Sequence, residues 1–129
     1  MVTPHLATAI VSPGRQILQR VTPPASAHIQ LSPRTLGVLR TALAAVVTRG
    51  TATSIQMPGL AIAGKTGTAE NPHGKPHAWF AGYAPADSPR LVVVALVENV
   101  GFGADYAAPI VRQVLQAAFG LSPNGGAHP

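Results

Sequence analysis

A chain of 129 residues, 47% apolar and only 10% charged, is long enough for one modest core and too apolar to be disordered by composition. Its net charge of +5 comes from Lys and Arg scattered singly, with no basic run and no interleaved aromatics, so a solvated basic surface is expected and a nucleic-acid partner is not. The lack of cysteine excludes disulfides and thiolate metal sites, and the longest apolar run, Leu91 to Val97, falls far short of the roughly 20 residues that a membrane-spanning helix needs.

Leu6 to Val11 and Gln16 to Val21 are short β-prone runs around Ser12-Pro13-Gly14-Arg15, a natural turn, and predict a hairpin. Pro23-Pro24 ends the second strand and begins a linker. Ser32-Pro33 has the form of a helix N-cap with Pro in the first turn. Leu36, Leu39, Leu43, Val46 and Val47 follow at spacings of three and four, which predicts a helix with one apolar stripe to about Arg49. Gly50 is the expected stop, with Arg49 in the last turn favouring the negative end of the dipole.

Leu60 to Glu70 is a predicted strand, and Asn71 to Lys75, with Pro72 and Gly74, is a loop. His77 to Ala84 and Arg90 to Glu98 are two further strands joined by the turn Pro85-Ala86-Asp87-Ser88-Pro89. The last strand is almost continuously apolar, a pattern that implies burial on both faces. Asp105 is the expected cap of a final helix whose apolar face holds Ala107, Ile110, Val111, Val114, Leu115 and Ala118, and which Gly120 ends. The order of hairpin, helix, three antiparallel strands and helix predicts an α+β fold. Its antiparallel sheet is a hairpin plus a three-stranded meander, and the C-terminal helix packs on it.

Gly59-Leu60-Ala61-Ile62-Ala63-Gly64-Lys65-Thr66 spells a phosphate loop, G-x-x-x-x-G-K-[ST]. That motif works only between a strand and a helix, whereas Gln56-Met57-Pro58 precedes it and Gly67 and Pro72 oppose a helix after it. Read as a strand, the same residues put Thr66 and Thr68 on one face and Lys65 and Gly67 on the other. Gly67 lets a second backbone approach closely. An extended peptide along that edge gains main-chain hydrogen bonds, with hydroxyls and an ammonium beside its carboxylate. His73 and His77 are a weaker pair: Gly74 and Pro76 between them forbid a helix, and no further ligands accompany them, so no metal is expected.

Several short motifs stand in series: Pro4-His5-Leu6 with Gly14 and Leu18; Val46-Val47-Thr48-Arg49-Gly50-Thr51-Ala52; Ala63-Gly64-Lys65-Thr66-Gly67-Thr68-Ala69-Glu70; Ala78-Trp79-Phe80-Ala81-Gly82-Tyr83; and Tyr106-Ala107-Ala108-Pro109. In order and spacing they resemble the class B-type penicillin-binding transpeptidases of the β-lactamase/D,D-peptidase superfamily, over nearly the whole chain. The resemblance implies a partial transpeptidase-like fold, the C-terminal portion of the domain over residues 1–120 with a flexible tail at 121–129. Lys65 would stand beside the Ser of the family's Ser-x-Asn motif, helping proton transfer and orienting an anionic substrate. The hydroxyls of Thr66 and Thr68 would bind the carboxylate of a D-Ala-D-Ala stem peptide or a β-lactam, and the Thr68 backbone N–H would supply half of the oxyanion hole. Trp79 and Phe80 are expected in the core, and no cofactor is implied.

No Ser of the chain (Ser12, Ser26, Ser32, Ser54, Ser88, Ser122) is followed three residues later by Lys. Ser122-Pro123-Asn124 spells Ser-x-Asn, but it follows the Lys-Thr-Gly strand, whereas in the family that motif comes before it. An acyl-enzyme needs an activated nucleophile beside its base, so the chain is expected to be inactive alone and to act once completed by an N-terminal part. In the family fold, strands from that part cover the sheet, so an apolar surface beside Leu91 to Val97 and self-association are expected here. The resemblance implies an extracytoplasmic, membrane-anchored parent protein. Residues 1–25 lack a basic start followed by an apolar stretch, so no export signal is expected in this chain.

Overall fold

The computed structural model describes residues 7–22 and 29–121 and divides the chain into two units, residues 1–32 and 33–129. The Pro4-His5-Leu6 motif, the Pro23-Pro24 linker and Ser122-Pro123-Asn124 lie outside the described residues, as does all of the expected tail beyond Leu121.

In the first unit, β1 (Ala9–Val11) and β2 (Ile17–Arg20) form the expected hairpin as a sheet of their own. The Arg15 N–H donates to the Ser12 carbonyl at 2.9 Å and the Ser12 N–H to the Gln16 carbonyl at 2.8 Å. This is a three-residue loop, with Pro13 early in the turn. The left-handed residue is Arg15 (φ 63°) rather than Gly14. Within the ladder the register shifts between Ile10 and Val11, which leaves Leu18 as the extra residue on β2.

The second unit starts with α1 (Pro33–Thr48). Its expected apolar stripe is buried only at the C-terminal end, at Val47, with Leu43 and Val46 half-buried, while Leu36 and Leu39 are exposed. Periodicity reports which residues share a face, and nothing among the described residues of this unit covers the first half of that face. The helix stops one residue before Arg49, which therefore lies outside the last turn. Gly50 is required by close approach: a Cβ there would stand 2.8 Å from the Val46 Cα. The chain folds back on the helix end at that point, and the Ala52 N–H donates to the Val46 carbonyl at 3.0 Å. A single 3₁₀ turn, Thr53–Ile55, follows with Ile55 fully buried. The Gln56 side-chain amide then caps the helix, donating to the Val47 and Thr48 carbonyls at 2.9 and 3.0 Å.

Three antiparallel strands form the main sheet in the order β3 (Ala63–Ala69), β4 (His77–Ala84), β5 (Leu91–Val97). β3 begins later than expected, because Met57 to Leu60 close a turn with Gly59 at φ 80° before the strand starts. The register pairs Gly64 with Gly82, Thr66 with Phe80 and Thr68 with Ala78, then Phe80 with Ala95. The face so defined is the packed one, and Phe80 at its centre is completely buried. Gly64 and Gly82 flank its ring: a Cβ on either would come within 2.6 Å of Phe80 ring carbons. α2 (Ala107–Ala118) packs on β4 and β5 through Ala107, Ala108, Val111 and Leu115, all buried.

Three expectations fail around this sheet. β5 is not buried on both faces, since Val92, Val94 and Leu96 are 67%, 57% and 44% exposed while Ala95 is buried beneath α2. Ile110 and Val114 are exposed rather than on the buried face of α2, and Ala118 is exposed too. Asp105 does not cap the helix: Tyr106 holds the cap position without a side-chain bond, and the Ala107 and Ala108 N–H groups donate to the Gly103 carbonyl. The C-terminus is as expected. Gly120 (φ 64°) follows the helix, with the Gly120 N–H bonded to Ala117 and the Leu121 N–H to Gln116, a Schellman closure.

Candidate functional site

Lys65, Thr66, Gly67 and Thr68 are consecutive on β3, which pairs with β4 on one side and is the outermost strand on the other. An outermost strand offers alternate N–H and C=O groups to an added strand, which is the feature a peptide-binding edge requires. Alternation is as expected: Lys65 and Gly67 lie opposite Ala81 and Trp79, Thr66 and Thr68 opposite Phe80 and Ala78. The two hydroxyls and the ammonium therefore leave the strand on opposite faces, and a ligand that meets both must lie along the edge between them.

Lys65 is exposed, and its Nζ donates to the Thr66 carbonyl at 2.7 Å. Gly67 is opposite Trp79, and a Cβ there would stand 3.1 Å from the Trp79 Cβ. On the other face, Gly103 lies against the backbone of Gly67 and Trp79, where a side chain would strike the Trp79 carbonyl oxygen. The loop before α2 thus braces the strand from behind at its glycine.

Thr66 is half-buried, and its hydroxyl is 2.8 Å from the Thr51 hydroxyl, where either can donate. Thr51 was visible in the sequence only as the middle of Gly50-Thr51-Ala52, with no role attached. Only folding α1 back onto β3 brings it to Thr66. Thr68 is exposed on the same side of the strand. Trp79, expected in the core, is 40% exposed on the open face next to Gly67, while Phe80 is buried as expected.

The phosphate-loop spelling and the two histidines lie on β3 and beside it. The phosphate-loop spelling runs through β3, where Lys65 and Thr66 are paired with β4 and a turn, not a helix, follows. His77 Nδ1 accepts the Asn99 N–H at 3.1 Å, and the His73 N–H donates to Asn71 Oδ1 at 3.0 Å. Asn71 and Asn99 bond to each other through their side chains, so this region ties the β3–β4 loop to the end of β5. Among the described residues no group of three or more His, Asp or Glu could hold a metal ion, and no helix is long and apolar enough to cross a membrane.

Residues 1–116 match the family model described as penicillin binding protein transpeptidase domain. Among curated relatives, the peptidoglycan D,D-transpeptidase PbpA of Mycobacterium tuberculosis is 45% identical over 76 residues, covering 52% of this chain and 16% of the relative. Stage V sporulation protein D of Bacillus subtilis is 34% identical over 128 residues, covering 88% of this chain and 19% of the relative. The solved structure of penicillin-binding protein A from M. tuberculosis, an imipenem acyl-enzyme complex, superposes with a TM-score of 0.65 at 34% identity, over 89% of this chain and 26% of that one. The chain spans less than a fifth of the length of those two curated relatives, at 16% and 19%. With its α+β meander and its Lys-Thr-Gly edge strand, the chain belongs to the penicillin-binding protein transpeptidase family and holds part of that domain.

Proposed function

We propose that this chain supplies the substrate-binding strand of a serine D,D-transpeptidase that cross-links peptidoglycan, with residues 1–120 as the C-terminal portion of the catalytic domain. The observation that carries this is the position of Lys65, Thr66, Gly67 and Thr68 on the outermost strand β3. A D-Ala-D-Ala stem peptide or a β-lactam lies along that edge, its carboxylate taken by the Thr66 and Thr68 hydroxyls. The Lys65 ammonium, now on the Thr66 carbonyl, turns to the anion and to the proton-transfer partner. The Thr68 N–H stabilises the developing oxyanion. The chain acts as part of an extracytoplasmic, membrane-anchored protein and forms no acyl-enzyme by itself, since none of its serines heads a Ser-x-x-Lys.

Binding of N-acetyl-D-Ala-D-Ala or a β-lactam to the chain, read by heteronuclear NMR, tests the edge. Lys65→Ala and Thr66→Ala should each weaken it by about tenfold, the loss of one bond to a charged group. Binding by both variants as tight as that of the unsubstituted chain would remove these residues from the site.

A complementing role, in which the chain completes a separate polypeptide bearing the nucleophile, is favoured by one further observation. The open face of the sheet exposes Trp79, Val92, Val94 and Leu96, which suits a covering partner better than solvent.

A further inference from the structure

We propose that Thr51 is a positioning residue for the carboxylate end of the bound ligand: its hydroxyl donates to Thr66 and so directs the single Thr66 proton outward. The inference rests on the carboxylate-binding reading of β3 given above. The observation is the Thr51 Oγ1–Thr66 Oγ1 separation of 2.8 Å, a bond in which either oxygen can donate. A threonine hydroxyl has one proton and two lone pairs. In the absence of ligand the direction of the bond is open. Once Thr66 donates to a carboxylate, it has no proton left for Thr51, so Thr51 must be the donor. A hydroxyl that accepts one bond also donates a stronger one, because successive bonds polarise one another.

The position of Thr51 is built, residue by residue. Gly50 allows the chain to turn against Val46, where a side chain would collide. Ala52, completely buried, anchors the far side, and its N–H is held by the Val46 carbonyl. Between them Thr51 is exposed, and its bond to Thr66 links the end of α1 to the binding strand by side chains. The bond lies at the exposed rim of the strand rather than in the core, where its direction can answer to a ligand. Thr51 acts through Thr66 and touches no reacting atom.

The test compares N-acetyl-D-Ala-D-Ala with its C-terminal amide, each titrated into the 129-residue chain while the Thr66 and Thr68 amide resonances are followed. The unsubstituted chain should prefer the acid. Thr51→Val keeps the shape and removes the donor, and it should cut that preference by roughly 3- to 10-fold, the worth of one hydrogen bond. Thr51→Ser should restore it. A general loosening of the fold would weaken acid and amide alike and would not be repaired by serine. Thr51→Ala serves in place of the valine variant if Val disturbs the turn. Full retention of the acid preference in Thr51→Val, with the fold intact, overturns the role of Thr51 and leaves the binding edge standing. An unsubstituted chain that binds acid and amide equally overturns the edge itself, and the positioning role with it.

Discussion

Phe80 and the two glycines beside it show how single residues fix the position of the Lys-Thr-Gly strand. The ring is wholly buried, and the room for it exists because Gly64 and Gly82 carry no side chains. Burial of a phenyl group contributes about 1.5–3 kcal/mol, and that contribution clamps β3 to β4 one residue before Lys65. A methyl group at position 64 would meet the Ala81 carbonyl oxygen as well as the ring, both at 2.6 Å. Backbone cannot rotate out of the way as a side chain can. Gly64→Ala is therefore expected to cost roughly 1–3 kcal/mol, measured as a lowered urea midpoint. An unchanged midpoint would mean that the ring is not seated as described. Trp79 and Phe80 are adjacent and chemically alike, yet one is 40% exposed and the other buried. Sequence could not separate them, because strand alternation assigns opposite faces without saying which face is covered.

At the level of elements, β5 is the strand whose environment matters most. Its seven residues include no charge, no Pro and no Gly, and it is the outermost strand opposite β3. Such an edge invites pairing with another chain. Antiparallel pairing of two copies centred on Val94 sets Arg90 of each opposite Glu98 of the other, whereas in-register parallel pairing opposes like charges. The chain is expected to self-associate in sedimentation velocity, and Val94→Lys, a gatekeeper charge on the exposed face, to shift it toward monomer. A monomeric unsubstituted chain at the same concentration would argue against an available edge. The element boundaries themselves were largely legible: β4 agrees to the residue, and the Gly120 closure follows from chemistry at the helix end. The cap of α2 was not. Asp105 is a good capping residue in isolation, but the backbone of Gly103, pressed against β3 and β4, already accepts the first helical N–H groups.

For the molecule as a whole, an apolar face left exposed among the described residues, an outermost β5 and a Lys-Thr-Gly edge strand in a chain with no Ser-x-x-Lys belong together. All are surfaces that a further part of a transpeptidase domain would use. Alone, the chain should show no covalent labelling by a fluorescent penicillin. Mixed with a polypeptide that carries Ser-x-x-Lys and Ser-x-Asn from the same family, it should restore labelling, with Trp79 fluorescence shifting as the open face is covered. Labelling of the isolated chain would locate a nucleophile among its own serines and displace the proposed division of labour. Labelling of neither would count against complementation.

What the sequence determined by itself was local and serial: the α+β order, the strand through Lys65-Thr66-Gly67-Thr68, the alternation of its side chains and the family to which the motif string points. The order, the strand and the alternation follow from periodicity and turn chemistry, which act over a few residues, and the family from the resemblance of the motif string. What only the tertiary structure decided was coverage and partnership. It put Thr51 against Thr66, left Val92, Val94 and Leu96 open, and set Gly103 against the Lys-Thr-Gly strand. The physical reason is that burial and hydrogen-bond partners are properties of pairs brought together by the fold, and residues 15 apart in sequence, as Thr51 and Thr66 are, carry no local signal of meeting.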